Sequence, residues 1–139
     1  MMAVIQPDTA GYLSLPFTRE ELRRIENRVP KECLVKLGIP DALATVENVF
    51  SHLSFISIVH LACHGVQDAK NPLESALILD DNQKLKISRI MEQPMPNAAL
   101  AYLSACETAK GDEDLPDEAI HLAASLLFAG FRGVVATMW

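Results

Sequence analysis

The sequence predicts an α/β fold: a mostly parallel central sheet with helices on both faces. Three observations lead there. Apolar, β-rich runs recur at residues 55–62, 98–104 and 133–139. Stretches between them place apolar residues three and four apart, as amphipathic helices do. The two kinds of segment alternate along the chain, which is the pattern of parallel strands joined by helical crossovers.

Each element has its own local reason. Residues 6–17 read as a linker, carrying Pro7, Gly11 and Pro16. Thr18 followed three residues later by Glu21 fits a capping box, so a helix is expected to start there with its charged residues on a solvated face. Residues 41–50 form a second helix candidate, with Leu43, Val46, Val49 and Phe50 at helical spacing. Residues 55–62 read Phe-Ile-Ser-Ile-Val-His-Leu-Ala, nearly continuous in apolar character, as in a central strand covered on both sides. Residues 76–79 and 84–86, flanking Asp80-Asp81-Asn82-Gln83, read as a small hairpin. Residues 87–93 form a short helix stopped before Pro94. Residues 98–104 are another buried strand. Asp117 is suited to cap a helix running to Ala129, with Gly130 as its stop. Residues 133–139 form a last strand. There is no internal repeat and no low-complexity segment.

Composition narrows the function classes. The chain has 139 residues, about one domain, and half of them are hydrophobic. That suffices for a real core. The formal net charge is -6, with no basic cluster, so nucleic-acid binding has no electrostatic footprint. No apolar stretch reaches the roughly 18 uncharged residues of a membrane span. The first residues lack the charged start and apolar run of a signal peptide. Three cysteines without framework spacing suit a reducing compartment, so a cytoplasmic location is expected.

Two segments carry chemistry: His60-Leu61-Ala62-Cys63-His64-Gly65 and Leu103-Ser104-Ala105-Cys106-Glu107-Thr108. Each follows a predicted strand. In parallel sheets ligands bind beyond the carboxyl ends of the strands, so both segments are expected at one sheet edge. Cys106 could serve as a nucleophile, provided a base or a lowered pKa makes it a thiolate. His64 could take its proton and later give one to a leaving amine. The N–H groups of Gly65 and Cys106 could hold an oxyanion. Spacing alone leaves a second reading open, in which Cys106 is a small packing residue and His64 a loop histidine.

The other candidates are weaker. His60 lies inside its strand and is expected to be a hydrogen-bonded core histidine, while Cys63 faces the other side and packs. His52 and His121 receive no role. His60, Cys63, His64 and Cys106 include zinc-ligand types, but their spacing is cramped, and no metal or cofactor is expected. Acidic residues follow Cys106. They form a solvated loop and helix start, or else Asp112 and Asp114 line a pocket for a basic substrate side chain.

Taken together, His-x-x-x-His-Gly, Ser-Ala-Cys-Glu-Thr-Ala, the apolar helix with Ala129-Gly130-Phe131-Arg132-Gly133-Val134-Val135-Ala136, and the final Trp139 resemble the CHAT domain. Leu15-Pro16-Phe17-Thr18 with Glu20 and Glu21 resembles the family's opening, although Gly is more usual where Phe17 stands. The resemblance covers nearly the whole chain. CHAT domains are caspase-like, grouped with caspases, separases and gingipains, and often follow tetratricopeptide repeats. The resemblance therefore implies a three-layer α/β/α caspase-like sandwich and a His-Cys dyad at His64 and Cys106. It implies a cysteine endopeptidase acting on a protein or peptide substrate, gated by an attached repeat or sensor domain. The family domain continues beyond its Trp-containing strand, so the expected fold is a single partial domain, incomplete at its C-terminus. That leaves an alternative function: an inactive caspase-like signalling and interaction module.

Overall fold

The computed structural model describes residues 1–68, 70–104 and 118–136. The chain begins with β1 (Met2–Ile5), followed by α1 (Thr18–Glu26), β2 (Val35–Leu37), α2 (Val46–Leu53) and β3 (Ile58–Ala62). Next come β4 (Gly65–Val66), β5 (Ala76–Ile78), β6 (Lys84–Lys86), α3 (Ile87–Met91) and β7 (Leu100–Leu103). The last described elements are α4 (Glu118–Phe128) and β8 (Gly133–Ala136). Among the described residues, the main sheet has the order β2-β1-β3-β7-β8, and every pairing in it is parallel.

Strand alternation sorts the core onto two faces. Met2, Val4, Val59, Leu61, Ala101 and Leu103 point into one large cluster. There they meet Val49 and Leu53 of α2, Ile87 and Ile90 of α3, and Leu122 and Leu126 of α4. Ala3, Ile5 and Ala62 point the other way, against Leu22 and Ile25 of α1 and Leu34. The three-layer α/β/α arrangement expected from the sequence is present.

The runs at 55–62, 98–104 and 133–139 contain β3, β7 and β8; β3 and β7 are shorter than the apolar runs that announce them, and residues 137–139 lie outside the described residues. The central position of β3 accounts for its apolar character. The hairpin at 76–86 is present as β5 and β6, but it belongs to a separate three-stranded sheet with β4. Gly130, with φ +116°, follows the last turn of α4, as a C-terminal stop requires. Asp117, the expected cap of that helix, lies outside the described residues.

Two expectations are corrected. The helix candidate at 41–50 begins later, at Val46. Residues 39–42 instead close a tight turn, with Gly38 N donating to Ala42 O and Ala42 N donating to Ile39 O. Thr45 is the cap, accepting from Asn48 N at 3.2 Å. Leu43 precedes the helix and is exposed, so it does not belong to the apolar stripe.

The capping box at Thr18 and Glu21 does not form. Phe17 is the N-cap residue and supplies no side-chain bond. Thr18 already lies inside the helix, where its hydroxyl donates to Leu15 O at 2.8 Å. Glu21 is thereby released from the helix end and turns to the sheet.

The sequence reading also lacks β1 and β2. Both are short, four and three residues long. Gly38, at the end of β2, has φ +84°, and a Cβ there would overlap the backbone carbonyl of Ile5. A glycine is what allows β2 to turn so close to β1.

Candidate active site

Because β1, β3 and β7 are adjacent and parallel, the segments that follow them leave the sheet at one edge. The segment after β1 carries Tyr12 and Leu13, and the segment after β3 carries Cys63, His64 and Gly65. The segment after β7 starts with Ser104, whose N–H donates to Leu61 O at 3.0 Å. This is the edge where an open parallel sheet binds ligands.

His64 is fully buried at this edge. Its Nε2 lies 2.8 Å from the carbonyl oxygen of Leu13. A carbonyl only accepts, so Nε2 carries the proton and donates. In the neutral ring, Nδ1 then holds the lone pair. Nδ1 is buried and has no hydrogen-bond partner among the described residues. The Tyr12 ring lies 4.8 Å from the imidazole, tilted by 31°, and limits its rotation. The result is an oriented imidazole with one ring nitrogen tied to backbone and the other unpartnered among the described residues.

Gly65 follows directly in β4. Ile78 N donates to His64 O at 2.8 Å, so these two residues face each other as a hydrogen-bonded pair. Antiparallel ladders alternate, which makes Gly65 and Leu77 the non-bonded pair. The Gly65 N–H therefore points away from β5 and is not consumed by that ladder.

A second polar group lies under α1. His60 Nε2 is 2.8 Å from Glu21 Oε2, and Ser104 Oγ donates to Glu21 Oε1 at 2.5 Å. The His60 ring stacks on Tyr102, its neighbour in register on β7, with centroids 5.1 Å apart and planes 12° apart. Burial lowers the His60 pKa below its ordinary 6.5, and the hydrogen bond and charge of Glu21 partly oppose this. His60 is thus a hydrogen-bonded core histidine, as its place inside the strand suggests.

The remaining sequence candidates separate clearly. Cys63 is buried in the large cluster, so it packs. Cys33 is exposed and distant in the fold, beside β2. His52 is tied to its own helix, with Nδ1 2.7 Å from Asn48 O. Cys106, Asp112 and Asp114 lie outside the described residues, as do the expected oxyanion contact of the Cys106 N–H and the side chain of His121.

Two contributors escaped the sequence reading. Leu13 acts through its carbonyl, which no residue pattern reveals, and it lies in a segment read as linker. Glu21 has an obvious local use as a cap, and that use hides its long-range one.

The sequence profile of the CHAT domain matches residues 3–139. No curated protein matches the chain.

Proposed function

The chain belongs to the CHAT domain family, and from that premise we propose that it is a caspase-like cysteine endopeptidase domain working through His64 and Cys106. The observation that carries this reading is the state of His64: buried, its Nε2–H held by the Leu13 carbonyl, and its Nδ1 unpartnered among the described residues. A core histidine retained only for packing would have both ring nitrogens matched or one in water. Chain connectivity supports the pairing. Cys106 is two residues beyond Ser104, a reach of about 7 Å at most, and Ser104 is bonded to the strand that leads to His64.

The reaction follows from these parts. Nδ1 of His64 takes the Cys106 thiol proton, and the thiolate attacks the scissile carbonyl carbon. The carbonyl oxygen gains the negative charge, and the N–H groups of Gly65 and Cys106 stabilise it. The tetrahedral intermediate collapses as the C–N bond breaks, and His64 returns its proton to the leaving amine. A water molecule, deprotonated by the same Nδ1, attacks the thioester. Its collapse releases the acid and restores the thiol. Asp112 and Asp114 offer carboxylates for a basic side chain preceding the cut bond. An attached repeat or sensor domain would gate access of the protein or peptide substrate.

Covalent labelling tests this. A peptide fluoromethyl ketone with Arg or Lys next to the warhead should label Cys106 well above Cys33 and Cys63. His64→Ala should reduce that labelling on the order of 100-fold or more, as loss of a general base does. Equal labelling of the three thiols, or indifference to His64→Ala, would sink the proposal. Asp112→Asn and Asp114→Asn should weaken preference for basic peptides over neutral ones. An unchanged preference in both would remove these residues from substrate binding.

A further inference from the structure

We propose that Glu21 is a positioning residue, whose carboxylate fixes the carboxyl end of β7 against β3 and so sets the approach of Cys106 to His64. The inference rests on the His64–Cys106 reading and adds a residue to it.

Two observations carry it. First, one carboxylate spans both strands that lead into the site. It accepts from His60 on β3, four residues before His64, and from Ser104, two residues before Cys106. Second, this polar group sits where apolar packing is the local rule. Around it α1 and the sheet meet through Leu22, Ile25, Ala3, Ile5 and Ala62. Within it the Glu21 side chain keeps 31% exposure, and both its carboxylate oxygens are matched, one by His60 and one by Ser104.

The geometry is suited to positioning. His60 is itself held by its stack on Tyr102 of β7. Glu21 therefore closes a loop of contacts, from β3 through His60 to α1, and back through Ser104 to the end of β7. Without it, the last residue before the Ala105-Cys106 step would keep its backbone bond to Leu61 but lose its hydroxyl bond to α1.

The test is the pH profile of iodoacetamide alkylation at each cysteine, read by peptide mass spectrometry on the full chain. In wild type, pairing with His64 should bring Cys106 below the ordinary thiol value of about 8.5. Glu21→Met and Ser104→Ala should each move the Cys106 profile back toward that value. Each should also slow alkylation at neutral pH by about tenfold, the order expected of a small misplacement. Glu21→Gln, which still accepts from Ser104, should fall between. The exposed Cys33 should keep its rate throughout. Should buried Cys63 become reactive in Glu21→Met, that variant has opened and Ser104→Ala decides. If His64→Ala shifts the Cys106 profile while Ser104→Ala and a folded Glu21→Met do not, the positioning role is overturned and the dyad stands. If His64→Ala leaves the profile at its wild-type position, the dyad reading falls and this inference falls with it.

Discussion

At the scale of single residues, the two histidines of His-x-x-x-His-Gly have opposite fates. His60 is matched to a carboxylate of α1, and His64 is held by one nitrogen with the other unpartnered among the described residues. The difference follows from position: His60 is within β3, and His64 is two residues past its end. The His60 environment has a consequence for stability. Its folded pKa is lowered from 6.5, chiefly by burial. The unfolded chain therefore binds a proton at this site more readily than the folded chain. The stability contributed here is fully present above about pH 6.5 and declines as pH falls from there toward the folded pKa. Denaturant titrations at about pH 7.5 and pH 5.5 should show the wild type losing more stability on acidification than His60→Gln, since only the wild type carries this titration. Equal losses would mean His60 does not titrate differently in the two states. His64 stands out in the sequence as a candidate, because few histidines follow a strand end. The tether of His64 does not, because a backbone carbonyl has no residue identity.

At the scale of elements, local signals are accurate when the chain uses them locally. Gly130 ends α4 as a helix-stop glycine does. Thr45 caps α2, although the apolar spacing around Leu43 points to an earlier start; the turn through residues 39–42 intervenes. Thr45→Ala should cost about 1 kcal/mol, the usual loss for an N-cap hydroxyl. At Gly38 both the positive φ and the Ile5 carbonyl oppose a side chain. Gly38→Ala should cost more than about 2 kcal/mol, since the clash is with backbone and cannot relax by a rotamer change. Chemical denaturation measures both, and a Gly38→Ala variant no less stable than Thr45→Ala would refute this ordering. The signals misled where tertiary contacts won. Thr18 and Glu21 have the spacing of a capping box, yet Glu21 bonds to residues 39 and 83 positions away. β1 and β2 are too short for periodicity to register, and they become strands because neighbours in the sheet pair with them.

At the scale of the molecule, the parallel order β2-β1-β3-β7-β8 brings the segments after three strands together. Three adjacent strands release their following segments at one edge, so residues around 13, 64 and 104 become neighbours despite their separation in sequence. This architecture was legible because it follows from the alternation of strand and helix, a property averaged over many residues. The second sheet was half legible: the hairpin has a turn signal, whereas β4 is two residues long and has none. Among the described residues no helix is long and apolar enough to cross a membrane. The catalysis proposed above requires one juxtaposition, that of His64 Nδ1, unpartnered among the described residues, with the thiol of Cys106. The most direct measurement is the distance between His64 Nδ1 and Cys106 Sγ in a crystal structure of the chain with a peptide aldehyde bound. The expected separation is about 4 Å or less, with Nε2 still on the Leu13 carbonyl. A separation near about 10 Å, or a ring turned so that Nδ1 faces away from the sulfur, is beyond proton-transfer reach and would contradict it.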